Sequence, residues 1–257
     1  MGRRVSWFSC GAASAIATKL SQPDVIAYCE TGSEHPDNKR FMKDCVKWFG
    51  DEITLLKNEL YRDTWDVWEK RRYISGVAGA PCTSALKVAP RLVFEKPDDI
   101  HIFGYTADSA DVTRAEALRE HWPNLDTEYP LIERGLTKAA CLAMIEDAGI
   151  KPPLTYAQGF PNANCMPCCK ATSPAYWALV RKEFPEEFNR MVELSRRLGA
   201  RLARIEGERV FIDEIPLDHP TTQPLAPECD FLCAIAEQEL EAYNYDFLHE
   251  DDRGNEP

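Results

Sequence analysis

The chain has 257 residues, of which 44% are hydrophobic and 28% charged, and carries a formal net charge of −12. Such a chain buries a sizeable core, and its composition excludes a disordered or fibrous protein. No apolar run approaches the roughly 20 residues of a membrane span, and no long apolar segment follows Arg3-Arg4, so a cytoplasmic protein without a membrane partner is expected.

Val5-Ser6-Trp7-Phe8 reads as a strand that breaks at Ser9-Cys10-Gly11 into a tight turn and an Ala-rich helix. Ser9, Gly11 and Ser14 bring two hydroxyls and a Cβ-free backbone to the unpaired N–H groups of that helix start, the geometry that holds a phosphate. Tight packing in an ordinary strand-to-helix turn would use the same small residues. A buried strand over 24–29 ends in Glu30-Thr31-Gly32-Ser33-Glu34, and a helix follows over 36–49. A short apolar run at 53–56 and a helix over 64–73, with Trp65 and Trp68 on one face, continue the alternation. This pattern predicts a parallel sheet covered by helices.

A Gly-rich break over 75–81 precedes Cys82-Thr83-Ser84-Ala85-Leu86-Lys87 and a helix interrupted or ended near Pro90. A strand over 100–105 runs into Thr106-Ala107-Asp108-Ser109, followed by a charged helix over 111–120 and a last strand over 126–131. The helix over 137–148 has Thr137 near its cap and Gly149 closing it, with Pro152-Pro153 beyond. From Gly159 the composition shifts to a thiol-dense loop, helices over 174–198, a hairpin over 201–215 around Gly207, a last helix over 232–243 and an acidic tail. The expected organisation is a nucleotide-binding domain over 1–155, a cysteine-rich metal-binding lobe over 156–245 and a disordered acidic tail over 246–257.

Three polar turns, Ser9 to Ser14, Glu30 to Glu34 and Gly104 to Asp108, fall at strand ends, where open parallel sheets bind ligands. The first would hold phosphate, the second a base or ribose, and the third would supply an acid or metal contact. Lys87 and Arg91, four apart on one helix, would neutralise phosphate or sulfate, unless they are simply solvated. The acidic balance argues against a broad grip on nucleic acid. Lys70-Arg71-Arg72 and the group Arg196, Arg197, Arg201 and Arg204 form either local basic patches or solvated helix faces.

Ten cysteines in a reducing compartment point to metal ligands, reactive thiols or core residues. Cys165 and Cys168, with Cys229 and Cys233, make two close pairs suited to a tetrahedral thiolate set, with Cys169 as the alternative to Cys168. Spacing does not separate zinc from an iron–sulfur cluster. Cys10 and Cys82 lie near the expected site, Cys29, Cys45 and Cys141 read as core, and no G-x-S-x-G supports a serine hydrolase. His35 is placed to touch ligand and His101 reads as structural. The catalytic residue is unassigned, with Cys82, Lys87 and Asp108 as candidates.

These motifs resemble the 3′-phosphoadenosine 5′-phosphosulfate (PAPS) reductase family of the adenine-nucleotide α-hydrolase-like, or PP-loop, group. Ser9-Cys10-Gly11-Ala12-Ala13-Ser14 is similar to its S-G-G-x-D-S pyrophosphate loop. The Tyr28-to-Pro36 stretch resembles D-T-G-x-E-x-P, Cys82 to Lys87 resembles C-T-x-x-L-K, and Gly104 to Ser109 resembles G-x-R-x-x-E-S. The resemblance covers residues 5–170, and the cysteine lobe to about 235 resembles the version found in phages and bacterial accessory regions. It implies a doubly wound, five-stranded parallel sheet with a smaller C-terminal cysteine-rich helical and hairpin lobe. It further implies an adenine nucleotide (PAPS, APS or ATP), with magnesium, held by Ser9 to Ser14, Glu30, Thr31, Gly32, Glu34, Lys87, Arg91, Gly104 and Tyr105. A [4Fe-4S] cluster on the cysteines would serve reductive sulfur chemistry or sulfur transfer, with a protein electron or sulfur donor, a tRNA or DNA acceptor and a homodimeric assembly. Ala13 stands where nucleotide-splitting members have Asp, Thr106 stands where Arg would grip phosphosulfate, and no C-terminal E-C-G-x-H occurs. The rival expectation is a non-catalytic nucleotide-binding adaptor with a structural zinc.

Overall fold

The computed structural model describes residues 2–76, 79–163 and 165–222. Strand β1 (Arg4–Trp7) sends Val5 and Trp7 into a buried cluster with Ala27, Cys29 and Phe103. Phe8, just past the strand, joins a different cluster with Ile26, Tyr28 and the apolar side of helix α1 (Ala12–Ser21). Ser6 and Thr18, both buried, share a 2.8 Å hydrogen bond that fastens β1 to α1.

Strand β2 (Val25–Cys29), helix α2 (Asn38–Phe49), strand β3 (Ile53–Leu56) and helix α3 (Thr64–Arg71) follow. Gly50, at φ 77°, closes α2 in the left-handed conformation that glycine adopts without penalty. Asp63 starts α3 by accepting the Asp66 N–H at 2.7 Å. Helix α4 (Pro81–Thr83) passes through π-helical Ser84–Val88 into α5 (Ala89–Phe94). The helical path therefore runs on through Pro90, where the sequence predicts an interruption, because a wider turn tolerates the missing proline N–H.

Strand β4 (Ile100–Ile102), helix α6 (Ser109–His121) and strand β5 (Asp126–Glu128) complete the sheet. The strand predicted over 126–131 stops at Glu128 because Pro130 opens helix α7 (Pro130–Glu133). Helix α8 (Lys138–Asp147) begins where Thr137 accepts the Ala140 N–H at 3.3 Å. Helices α9 (Leu154–Ala157), α10 (Pro174–Glu183) and α11 (Pro185–Leu198) precede a hairpin of β6 (Ala203–Ile205) and β7 (Glu208–Val210) and a 3-10 turn at Ile212–Glu214.

All five strands of the main sheet are parallel, in the order β3-β2-β1-β4-β5. Val5 stands opposite Val25 on one side and His101 on the other, so β1 is the central strand. From β1 the chain steps outward to β2 and β3, then returns to the far side of β1 for β4 and β5. The order reverses there, at the carboxyl ends of β1 and β4, the position where open parallel sheets bind ligands. A third buried cluster joins Trp65, Trp68, Ile74 and Leu86 to Trp177, Phe188, Met191 and Ile212, so the helices after residue 170 pack on α3 and its neighbours. Among the described residues no helix is long and apolar enough to cross a membrane.

Candidate functional site

The β1–α1 turn lies at the point where the strand order reverses. Cys10 takes φ 58°, a left-handed conformation that sharpens the turn, and its fully buried thiol lies 3.8 Å from the Asn38 carbonyl oxygen. Burial, reinforced by the charges of Cys45 and Glu34, pushes that thiol well above its ordinary pKa, so Cys10 shapes the turn and is a poor nucleophile. Ser14 is the hub: its hydroxyl accepts the Ser9 N–H and the Ser9 hydroxyl, each at 3.1 Å, and donates to the Gly11 carbonyl at 3.0 Å. Tyr156, from α9, accepts the Ala12 N–H at 3.2 Å. Gly104, just beyond β4, backs directly onto this turn. A Cβ at Gly104 would stand 2.6 Å from Ser14 Cα and 2.7 Å from Ser14 N, so only glycine fits between the two strand ends.

The second turn is built on Thr31, which donates its N–H at 2.8 Å and its hydroxyl at 2.6 Å to Glu34 Oε1. The same hydroxyl lies 2.9 Å from Cys165 Sγ. Because the Thr31 proton is directed at Glu34, the thiol is the donor in that contact. Glu34 and Cys165 also form an antiparallel bridge, and the Met166 N–H donates to the Ser33 carbonyl at 2.8 Å. Gly32, at φ 69°, would bring a Cβ within 2.3 Å of the Arg62 carbonyl oxygen. Glu30 pairs with Lys57. His35 accepts the Asp37 N–H at 3.1 Å and packs edge-on against Phe184.

In the third turn Asp108 accepts the Thr106 hydroxyl and the Lys138 N–H, each at 2.9 Å. Its carboxylate thus ties the turn to the start of α8. Asp111 accepts the Thr106 N–H at 3.0 Å and pairs with Arg114, whose guanidinium covers the Tyr105 ring.

Lys87 and Arg91 part company. The Lys87 carbonyl accepts the Cys29 thiol at 3.6 Å, which sets this residue at the carboxyl end of β2. Arg91 is buried, pairs with Glu95 at 3.3 Å and lies near His101 in β4. Burial pushes the Cys29 thiol up to about 12 against the opposing charges of Lys87 and Arg91.

Cys229 and Cys233 lie outside the described residues. None of the eight described cysteines forms a disulfide. Cys169 has a neighbour that local spacing does not pair with it: Cys82 Sγ lies 3.7 Å from Cys169 Sγ, and both are buried. Tyr176 stands beside the loop and accepts the Cys168 N–H at 2.6 Å. Burial first, then the charges of Cys168, Cys165 and Cys169, push its phenol well above the ordinary range, so all three thiols lie within electrostatic reach of one hydroxyl. Among the described residues no three His, Cys, Asp or Glu side chains gather closely enough to hold a single metal ion. Four thiolates are the usual donor set of an iron–sulfur cluster, and Cys82, Cys165, Cys168 and Cys169 are the described thiols on these two segments.

Sequence reasoning singles out Cys82, Lys87, Cys165, Cys168 and Cys169 but misses Tyr156, Tyr176 and Asn38. Asn38 is buried and donates to the Ala163 carbonyl at 3.1 Å, fastening α2 to the thiol loop. No family model and no curated protein matches this sequence.

Proposed function

We propose that this chain is a PAPS reductase-like enzyme that binds an adenine nucleotide at the carboxyl edge of a doubly wound sheet and carries out reductive sulfur chemistry or sulfur transfer beside a thiolate-held centre. The observation that carries the reading is Thr31: one hydroxyl touches Glu34 in the candidate nucleoside turn and Cys165 in the thiol loop. A nucleotide lying along the crevice would therefore end next to the cysteines.

In this reading the β1–α1 turn receives phosphate on the backbone of Ala12 to Ser14, at the positive end of α1. Ser14 holds the turn in shape, and Tyr156 presents a hydroxyl at its rim. Lys87 adds positive charge near β2. Cys82, Cys165, Cys168 and Cys169 would hold a [4Fe-4S] cluster, with Cys229 and Cys233 as the alternative second pair. Such a group, when bound, supplies one-electron transfer. Tyr176 fixes the loop backbone at Cys168, and the surrounding apolar cluster shields Cys82 and Cys169, while Cys165 and Cys168 stay partly exposed.

A second reading, an adaptor that binds nucleotide without turnover and holds zinc, is favoured by the closed hydrogen-bond set of Ser14 and by Ala13 in the turn. Anaerobic purification divides the two. A brown protein carrying iron and sulfide, which binds PAPS or ATP in calorimetric titration, supports the enzyme; a colourless protein with one zinc per chain overturns it.

A further inference from the structure

A circuit of contacts starts and ends at the β1–α1 turn and brings a lysine to it from α8. Gly104 packs against the Ser14 backbone. Beyond it the Thr106 hydroxyl donates to Asp108 at 2.9 Å, Asp108 accepts the Lys138 N–H at 2.9 Å, and the Lys138 ammonium donates to Asn162 Oδ1. The neighbouring Ala163 carbonyl accepts the Asn38 side-chain amide at 3.1 Å, and the Asn38 carbonyl oxygen lies 3.8 Å from Cys10 Sγ, back in the turn. Lys138 therefore joins the third turn to the loop that leads, three residues later, into Cys165.

Positive charge is otherwise scarce at this end of the sheet. The third turn, Gly104 to Asp108, contains no lysine or arginine. Arg114 is spent on Asp111 and the Tyr105 ring. Lys87, whose backbone meets Cys29 at the end of β2, stands on the opposite side of β1. The acids of the turn are engaged as well: Asp111 with Arg114 and Thr106, Asp108 with the Thr106 hydroxyl and the Lys138 N–H. Lys138 is half-buried and its ammonium is met by a neutral amide oxygen, so its charge is screened less than that of a surface lysine.

Strands β2, β1 and β4 lie side by side, about 4.8 Å from one to the next. With the nucleoside at the turn after β2 and its first phosphate at the turn after β1, a longer anionic chain runs on to the turn after β4. We infer, resting on the nucleotide reading, that Lys138 binds the second anionic group of an adenine nucleotide, the phosphate or sulfate joined to the α-phosphate by an anhydride bond. Lys138 would then select ADP, ATP or APS over AMP. Asn162 steadies the ammonium in the free chain, and a charged oxygen makes a stronger partner than that amide when it arrives.

The test is calorimetric titration of the full chain with AMP, ADP and APS, beside the Lys138→Gln and Lys138→Met variants. Glutamine keeps a donor for Asn162 and removes the charge; methionine removes both. Each variant is expected to lose affinity for ADP or APS by about tenfold or more, while affinity for AMP stays within about threefold of wild type. Loss confined to ADP assigns a phosphate to Lys138, and loss confined to APS assigns a sulfate. Equal weakening of AMP and ADP, recovery in Lys138→Gln, or unchanged affinity for ADP and APS overturns the inference and leaves the nucleotide reading standing. A wild-type chain that binds none of the three overturns both. Thermal melts that match wild type show that the variants fold, and Asn162→Ala, which keeps the cation, carries the test if they do not: it is expected to retain the preference for ADP or APS over AMP, and loss of that preference makes Lys138 a strut.

Discussion

Ser14 makes three hydrogen bonds within one turn, and its loss is felt twice. Ser14→Ala is expected to lower stability by about 1–2 kcal/mol in urea unfolding and to weaken adenine-nucleotide binding at least tenfold by calorimetry. Retained affinity would remove Ser14 from the site. Gly104→Ala pushes a Cβ into the backbone of Ser14, and a loss of about 1–3 kcal/mol is expected in the same unfolding measurement. His101 titrates against folding. Burial first, then the Arg91 charge, lowers its pKa from 6.5 to about 4. Between those values the unfolded chain binds a proton that the folded chain refuses, so this stability is full above pH 6.5 and falls as pH drops toward 4, by on the order of 3 kcal/mol. His101→Phe keeps the stack with Trp7 and Phe103 but strands the Trp7 indole N–H, now 3.0 Å from His101 Nδ1. It is expected to be less stable at pH 7 and to lose less between pH 7 and 5; an unchanged loss clears His101. Ser14 and Gly104 were legible in the sequence because short-range turn chemistry marks them. Tyr156 was not, because its contact with Ala12 spans 144 residues.

The β6–β7 turn places Glu206 at φ 50° and Gly207 at φ 89°, both left-handed, as a two-residue hairpin loop requires. Glutamate is a poor occupant of that conformation, so Glu206→Asn is expected to raise stability by about 0.5–1 kcal/mol, read from the urea midpoint. The alternating β and α segments were readable from apolar runs and caps, and the element ends shifted mainly where proline decides them, at Pro90 and Pro130. The thiols behaved differently. Local spacing joins Cys165 to Cys168, but nothing local joins Cys82 to Cys169 across 87 residues; that pairing comes from α4 meeting the loop before α10. Cys82→Ser is therefore expected to lose iron and visible absorbance while Cys229→Ser keeps them. The reverse result would assign the centre to the sequence-spaced pairs.

Three buried clusters hold the molecule together, two lining the parallel sheet and one uniting α3, α4 and the π-helical turn after it with α10, α11 and the hairpin. Trp68 is fully buried in the last of these. Trp68→Ala is expected to cost about 3–5 kcal/mol and to raise hydrogen exchange in α10 and α11 before the sheet strands. Equal loosening of the sheet would show that the clusters unfold as one. The sheet was foreseeable because each strand–helix pair is local in sequence. The shared third cluster was not, because it joins residues near 70 to residues near 190, and amphipathic patterns say which face is buried without saying against what.

Tyr156 has a consequence for the thermodynamics of binding. The first N–H of α1 already donates to a phenol hydroxyl, so an arriving phosphate exchanges one hydrogen bond for another instead of adding one. The heat released there is the difference between two partners, and the phenol must rotate aside or itself bond to the newcomer. A nucleotide would then bind with a small enthalpy for the number of contacts it makes, and slowly, because the phenol has to move first.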